Sequence, residues 1–433
     1  AARALLAGLL VLSAPAASGS DAPLSAIEWL ERQGPDTAAP GAARDEPPVA
    51  TSAASPDVSV RPLDGGPRAD AVGLLPPAVT GFPQTLWQHS RTDDLIALIA
   101  AQQPEDQPAM QALFYALLLA EALPPSDAGP EARLLQARLD KLAALGAVEP
   151  ALALAERAGP ATPALFARWF ELSLLVDRAG PACDVLRARM HLASGYAPRI
   201  FCLARGGDWP AASNLLQAAR ALDALDEPLG DLLARFLDPE AVAGPELAPS
   251  RRPSALEVRL REAIGAPLPA SALPRRFAAL ALDGDAGWRA QIEAAERLAR
   301  VGAISENRLL GIYTRQAPAA SGGVWERVAG VQRLDAALAR GDAQAAAREL
   351  EAAWPLMRAA GLRVPFARLF GADLAELPLA GRARALSWRA AMLAPGYESV
   401  PRRFAPETAE ERFLAALAAG TPGRAPAPDA RAE

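Results

Sequence analysis

Through most of this chain apolar residues recur at every third or fourth position, and Gly or Pro cuts the pattern about every twenty residues. That period places one apolar stripe on each of many short α-helices. A helix of so few turns does not persist alone in water, so each must bury its stripe against a neighbour. The pattern is plainest in "DDLIALIAAQ" (93–102), "MQALFYALLLAEAL" (110–123), "ARLLQARLDKLAAL" (132–145), "ALFARWFELSLLV" (164–176), "AARELEAAWPLM" (346–357) and "ERFLAALAA" (411–419). No run of alternating β-branched residues and no hairpin signal stands between them. About seventeen helices are expected between residues 76 and 420. The expected fold is all-α, an α-solenoid of stacked antiparallel helix pairs. At Gly159-Pro160 and Gly180-Pro181, glycine is expected to close one helix in the left-handed conformation and proline to open the next.

Stacked pairs leave a period, and a partial one is present. Gly146 is followed by Ala151 and Ala158, Gly207 by Ala212 and Ala219, and Gly341 by Ala346 and Ala353. Glycine turns the chain between two helices, and the two small residues let the second helix approach its neighbours. Gly146 and Gly180 stand 34 residues apart, with Trp169 and Leu172 as large residues of a first helix and Pro163 at a repeat boundary. This pattern resembles the tetratricopeptide repeat, a unit of about 34 residues built as helix–turn–helix. It departs from that repeat where Val185 replaces alanine five residues after Gly180, and where Gly180 to Gly207 spans 27 residues. The resemblance covers about a third of the chain. It implies a concave surface that binds a protein or peptide, and it names no partner.

The ends of the chain read differently. In "AARALLAGLLVLSAPAASGS", Arg3, an apolar run and small residues around Pro15 follow the order of a secretory signal, taken as residues 1–19. Residues 20–33 hold a short amphipathic helix, "LSAIEWLERQ", with Ser25 and Glu28 at capping-box spacing and Trp29 beside the apolar stripe. Its partner is either the rest of the chain or an external groove. Residues 34–75, rich in Pro, Ala and Gly, read as a disordered linker, and 421–433 as a disordered tail. The expected compartment is a bacterial periplasm or the exterior.

Composition removes several function classes. The net charge is −6, and phosphate binding needs a basic surface, so a nucleic-acid partner is not expected. No segment after the leader has the roughly 18 uncharged apolar residues of a membrane span. His89 and His191 lie in different helical units with no further ligand at metal-binding spacing, and there is no phosphate loop, nucleophile elbow or dinucleotide fingerprint. No metal or cofactor is expected. Adjacent carboxylates such as Asp93-Asp94 point about 100° apart on a helix and cannot share a proton. Cys183 and Cys202, on neighbouring helices of an exported chain, fit either a disulfide or two buried thiols.

One segment stays open. "QAPAASGGVWERV" (316–328) sets Ser321, Gly322 and Gly323 before a helix, with Trp325 in its first turn. Ser321 as a helix cap in a plain bend is the leading reading, an anion or partner contact the second, and a nucleophile the third. The expected function is a non-catalytic, exported protein- or peptide-binding scaffold of the cell envelope. The alternative is a glycan-binding or glycan-cleaving wall protein, since superhelical helix stacks also accompany the catalytic domains of soluble lytic transglycosylases.

Overall fold

The computed structural model describes residues 68–104, 107–238, 247–283, 286–421, 423 and 426–428. The expected leader, the helix carrying Trp29 and the linker up to residue 67 lie outside the described residues. Among the described residues every regular element is helical, apart from a single β-bridge between Leu75 and Ala120. Seventeen of the α-helices have eight residues or more. The first four are α1 (Thr92–Ala101), α2 (Pro108–Leu119), α3 (Arg133–Leu145) and α4 (Val148–Ala158). Then follow α5 (Pro163–Leu175), α6 (Ala179–Ala188), α7 (Tyr196–Arg205), α8 (Trp209–Ala221), α9 (Glu227–Leu237) and α10 (Ala255–Ala263). The last seven are α11 (Trp288–Ala299), α12 (Glu306–Tyr313), α13 (Gly323–Ala339), α14 (Ala343–Ala359), α15 (Arg363–Glu376), α16 (Gly381–Leu393) and α17 (Ala409–Ala418).

Local chemistry accounts for several of the starts and stops. Thr162, Asp208, Ser254, Ser305, Asp342 and Thr408 each accept a hydrogen bond from a first-turn amide of the helix they precede. Gly146, Gly207 and Gly341 take positive φ values of 89°, 85° and 64° between α3 and α4, α7 and α8, and α13 and α14. At Gly146 a side chain is barred twice over, because a Cβ there would also meet Leu298 at 2.5 Å. Gly180 does not play the expected role. It lies inside the first turn of α6, and Asp177 takes the left-handed conformation instead, at φ 54°. Aspartate tolerates that conformation better than most residues, so the turn needs no glycine. Gly159 does close α4, at φ 77°, but α5 starts at Pro163 rather than Pro160.

The most extensively packed pairs are neighbours in sequence, α13 with α14, α15 with α16 and α7 with α8. Ala151, Ala212, Ala219, Ala346 and Ala353 are fully buried between helices, and Ala158 is half-buried. Ala353 shows what the small residue permits, since its Cβ lies 3.4 Å from where a side chain on Gly330 of α13 would begin. Helices distant in sequence also meet: α5 packs on α10, and α12 on α15. One core runs from Trp87 to Phe277 and a second from Ala278 to Ala390, with a small third around Trp388. From the first core out to the exposed Trp209, Phe166, Phe170, Phe201, Phe236 and Trp209 follow one another with ring centroids 5.8–6.2 Å apart, joining α5, α7, α8 and α9. α6 and α7 are also joined covalently: Cys183 and Cys202 form a disulfide, with Cα atoms 5.0 Å apart.

Arg138 holds the start of the fold. It lies on α3 among leucines and is wholly buried. Its Nε donates to the Leu118 carbonyl at 2.7 Å, Nη2 to Ala120 at 2.9 Å, and Nη1 to Val72 at 2.8 Å and Asp70 at 3.4 Å. The first two carbonyls belong to the end of α2, where no further turn of helix supplies donors. Asp70 in turn accepts from the Leu135 amide at 2.6 Å. Burial lowers the guanidinium pKa to about 10, so it stays protonated at neutral pH. Burial also raises that of the Asp70 carboxyl, against the pull of the Leu135 amide and Arg138.

These contacts correct the linker boundary at residue 75. Residues 68–75 pack on α2 and α3, with Leu74 and Leu75 donating to the Leu119 carbonyl at 2.8 and 3.0 Å. Gly73 lies so close that a Cβ would stand 2.1 Å from the Glu121 nitrogen. Residues 68–75 ("RADAVGLL") hold no proline and two adjacent leucines, and their backbone completes hydrogen bonds that α2 leaves open. At the other end, Thr421 donates to Ala416 at 2.8 Å and so closes α17 rather than opening the tail.

Arg138→Met should lower stability in urea unfolding by about 3–5 kcal/mol, because several carbonyls and Asp70 lose their donor or counter-charge together. Reduction of the Cys183–Cys202 bridge should cost about 2–4 kcal/mol by the same measurement.

Candidate functional site

The open segment 316–328 holds no assembled chemistry. Ser321 is exposed and does not cap α13; Gly322 precedes the helix at φ 83°, and the start has no side-chain cap. The chain reverses through two consecutive positive φ values, at Gly322 and Gly323, and this carries Ser321 past the capping position. Trp325 is half-buried against Trp288, ring centroids 5.1 Å apart, while the Trp288 indole donates to the Ile312 carbonyl at 2.8 Å. These residues form a bend with a tryptophan pair at its side. His191 lies in a short 3-10 turn before α7, and His89 in the turn before α1.

Each buried carboxylate is committed to a structural partner. Asp70 serves α3 as above. Glu296 on α11 accepts from the Tyr313 hydroxyl at 2.8 Å and from Arg327 at 2.7 and 3.0 Å, tying α11 to α12 and α13. Burial, and then the Glu296 charge, push the Tyr313 phenol well above its ordinary pKa. Glu411 accepts both oxygens' worth of contact from Arg384, at 2.8 and 2.9 Å, and also receives the Glu407 amide at 2.7 Å. Desolvation raises the Glu411 pKa, but these donors outweigh it and hold the carboxyl below its usual range. Among the described residues no group of three or more His, Cys, Asp or Glu is placed to hold a metal.

The surface offers a feature of another kind. Between α14 and α16 runs an open groove of about 510 Å³. From α16 it takes Arg382, Ala385, Leu386 and Arg389, residues at spacings of three, four and seven that share one helical face. From α14 come Trp354, Pro355, Arg358 and Ala359. Pro355 sits inside the helix and has no N–H, so the Glu351 carbonyl loses its helical donor. The floor is apolar: Trp354 and Leu386 are buried, and the Trp354 ring meets Phe366 edge-on at 5.7 Å. The rim is cationic. Arg389 pairs with Glu410 at 2.9 Å, whereas Arg358 and Arg382 make no ion pair among the described residues. Both are exposed. Two uncompensated guanidinium groups thus border an indole floor on a chain of net charge −6.

Comparison of the chain with protein families, with curated proteins and with solved structures finds no match in any of the three. The groove must therefore be read from its own chemistry. The spacing on α16 is visible in "RARALSWRAAML" (382–393), but nothing local says that α14 brings Trp354 and Arg358 alongside it.

Because Glu411 is held below the ordinary glutamate value of 4.5, its contribution to stability is complete above that pH and is lost as pH falls through its lowered folded value. Glu411→Gln should therefore be less stable than the wild type at pH 7, and the gap should narrow in thermal unfolding scans taken from pH 5 down to pH 3.

Proposed function

We propose that this protein is an exported, non-catalytic helical-repeat scaffold of the bacterial cell envelope that captures an acidic protein or peptide segment between α14 and α16. In this reading the consecutive helices stack as antiparallel pairs, in the manner of tetratricopeptide repeats. The left-handed glycines and buried alanines at the three matching positions support it. The observation that carries the binding function is the groove itself. Arg358 and Arg382 present planar donor forks with no internal carboxylate to compete, and the indole beneath offers apolar contact. Arginine and tryptophan are also the residues on which binding energy concentrates at protein interfaces.

Export rests on the order of charges and apolar residues in the first nineteen positions, and the Cys183–Cys202 bridge supports an oxidising compartment. No described helix is long and apolar enough to cross a membrane. The scaffold reading leaves the carboxylates in their structural roles.

The test is a crosslinking pull-down from the periplasm of the native host, comparing wild type with Arg358→Glu/Arg382→Glu. The double variant should unfold within about 1 kcal/mol of wild type, since both side chains are exposed. It should lose the wild type's partner at least about tenfold, and capture by the wild type should weaken with added salt. Equal capture by both proteins, or release of muropeptides by the purified wild type, would count against this reading, the latter in favour of a glycan-cleaving wall protein.

A further inference from the structure

A second concavity, unrelated to the groove, lies where three parts of the fold converge. α2 forms one wall, the turn from α11 into α12 another, and the first turn of α15 the third. The turn is held against both neighbours. A Cβ on Gly302 would lie 3.8 Å from the Tyr115 ring of α2, and Arg300 donates through Nε to the Ala360 carbonyl at 2.6 Å, just before α15. The space within it is about 60 Å³ and opens to solvent. At about 10–15 Å³ per water, it has room for about four to six waters.

Its lining is chemically unfinished. Gln111 on α2 is 4% exposed, and neither its amide nitrogen nor its amide oxygen has a hydrogen-bond partner. A buried primary amide left without partners is costly, and structures rarely keep one without a reason. Three charged side chains border the same space: Arg368 from α15, Glu306 from α12, and Arg300 from the turn, the last already engaged with Glu296 and the Ala360 carbonyl. Arg368 and Glu306 make no ion pair or side-chain hydrogen bond among the described residues, with each other or elsewhere. The first turn of α15 has no side-chain cap, since its N-cap is Leu362; it offers the Arg363 and Val364 amides, while Pro365, which also lines the cavity, has no N–H. An anion is thus favoured at the α15 side and a cation at Glu306, with an amide that donates and accepts beside them.

We propose that this cavity binds a small free α-amino acid, of the size of glycine or alanine. Its carboxylate lies toward Arg368 and the start of α15, its ammonium toward Glu306, and Gln111 hydrogen-bonds to the ligand. The charge pattern calls for a zwitterion, and the small volume suits one with few side-chain atoms. Glycine has five non-hydrogen atoms and alanine six, whereas phenylalanine has twelve.

The test is isothermal titration of the purified full chain with glycine, alanine, phenylalanine, acetate and methylamine. Glycine or alanine should bind at least about tenfold more tightly than any of the other three, as expected when both charges are matched. Arg368→Met and Glu306→Gln, both at side chains that are not buried, should each weaken that binding at least about tenfold while the melting temperature stays near that of wild type. Gln111→Met should weaken it as well, and its thermal stability would show whether the orphaned amide is a burden to the empty protein. No heat from glycine or alanine at about 10 mM, acetate binding as tightly as alanine, or unchanged affinity in both the Arg368 and Glu306 variants would overturn the proposal.

Discussion

Wherever a helix of this protein ends inside the fold, its last carbonyls need donors, and at the most buried of these ends the donor is a charged side chain. Arg138 reaches from α3 to carbonyls on two other segments, at the end of α2 and at residues 70–72. A neutral side chain could satisfy one or two of these groups. The guanidinium offers five donors in a plane, which suits several carbonyls converging from different directions. Its charge is tolerable because carbonyl dipoles surround it and Asp70 lies close by. Around this centre the first core closes, and with it the surface of α2 that meets the α11–α12 turn.

The same device recurs. Glu296 collects Tyr313 and Arg327 so that α11, α12 and α13 share one buried centre. Arg384 and Glu411 do the same for α16 and α17. Between these polar centres the helices approach through small residues, as at Gly330 against Ala353. An alanine-rich chain has few large side chains with which to register one helix against the next. Arginine-centred networks and aromatic chains supply that register, since each requires a particular set of partners at particular distances.

Both concavities depend on this division of labour. The groove exists because α14 and α16 lie side by side with Arg358 and Arg382 facing no carboxylate of their own. The cavity beside Gln111 exists because a turn between two helices is pressed against a third and a fourth. The groove is lined by residues of two helices, and the cavity by helices together with the turn between α11 and α12.

The periodicity and the glycine turns at 146, 207 and 341 were legible in the residues alone, because each is decided within one turn of helix. The end of the linker was not, because residues 68–75 owe their place to carbonyls and a guanidinium more than forty residues away. Gly180 and Ser321 were misread for a related reason: the conformation available to a residue is local, but which neighbour adopts it depends on the angle at which two helices must meet. Of the groove, only the α16 face was readable. What the sequence determined by itself was therefore the helices and several of their ends, since backbone hydrogen bonds and apolar period act over three or four residues. Tertiary structure alone decided which charges are spent on the fold and which remain at its surface, because pairing between distant side chains follows from packing and has no signature in spacing along the chain.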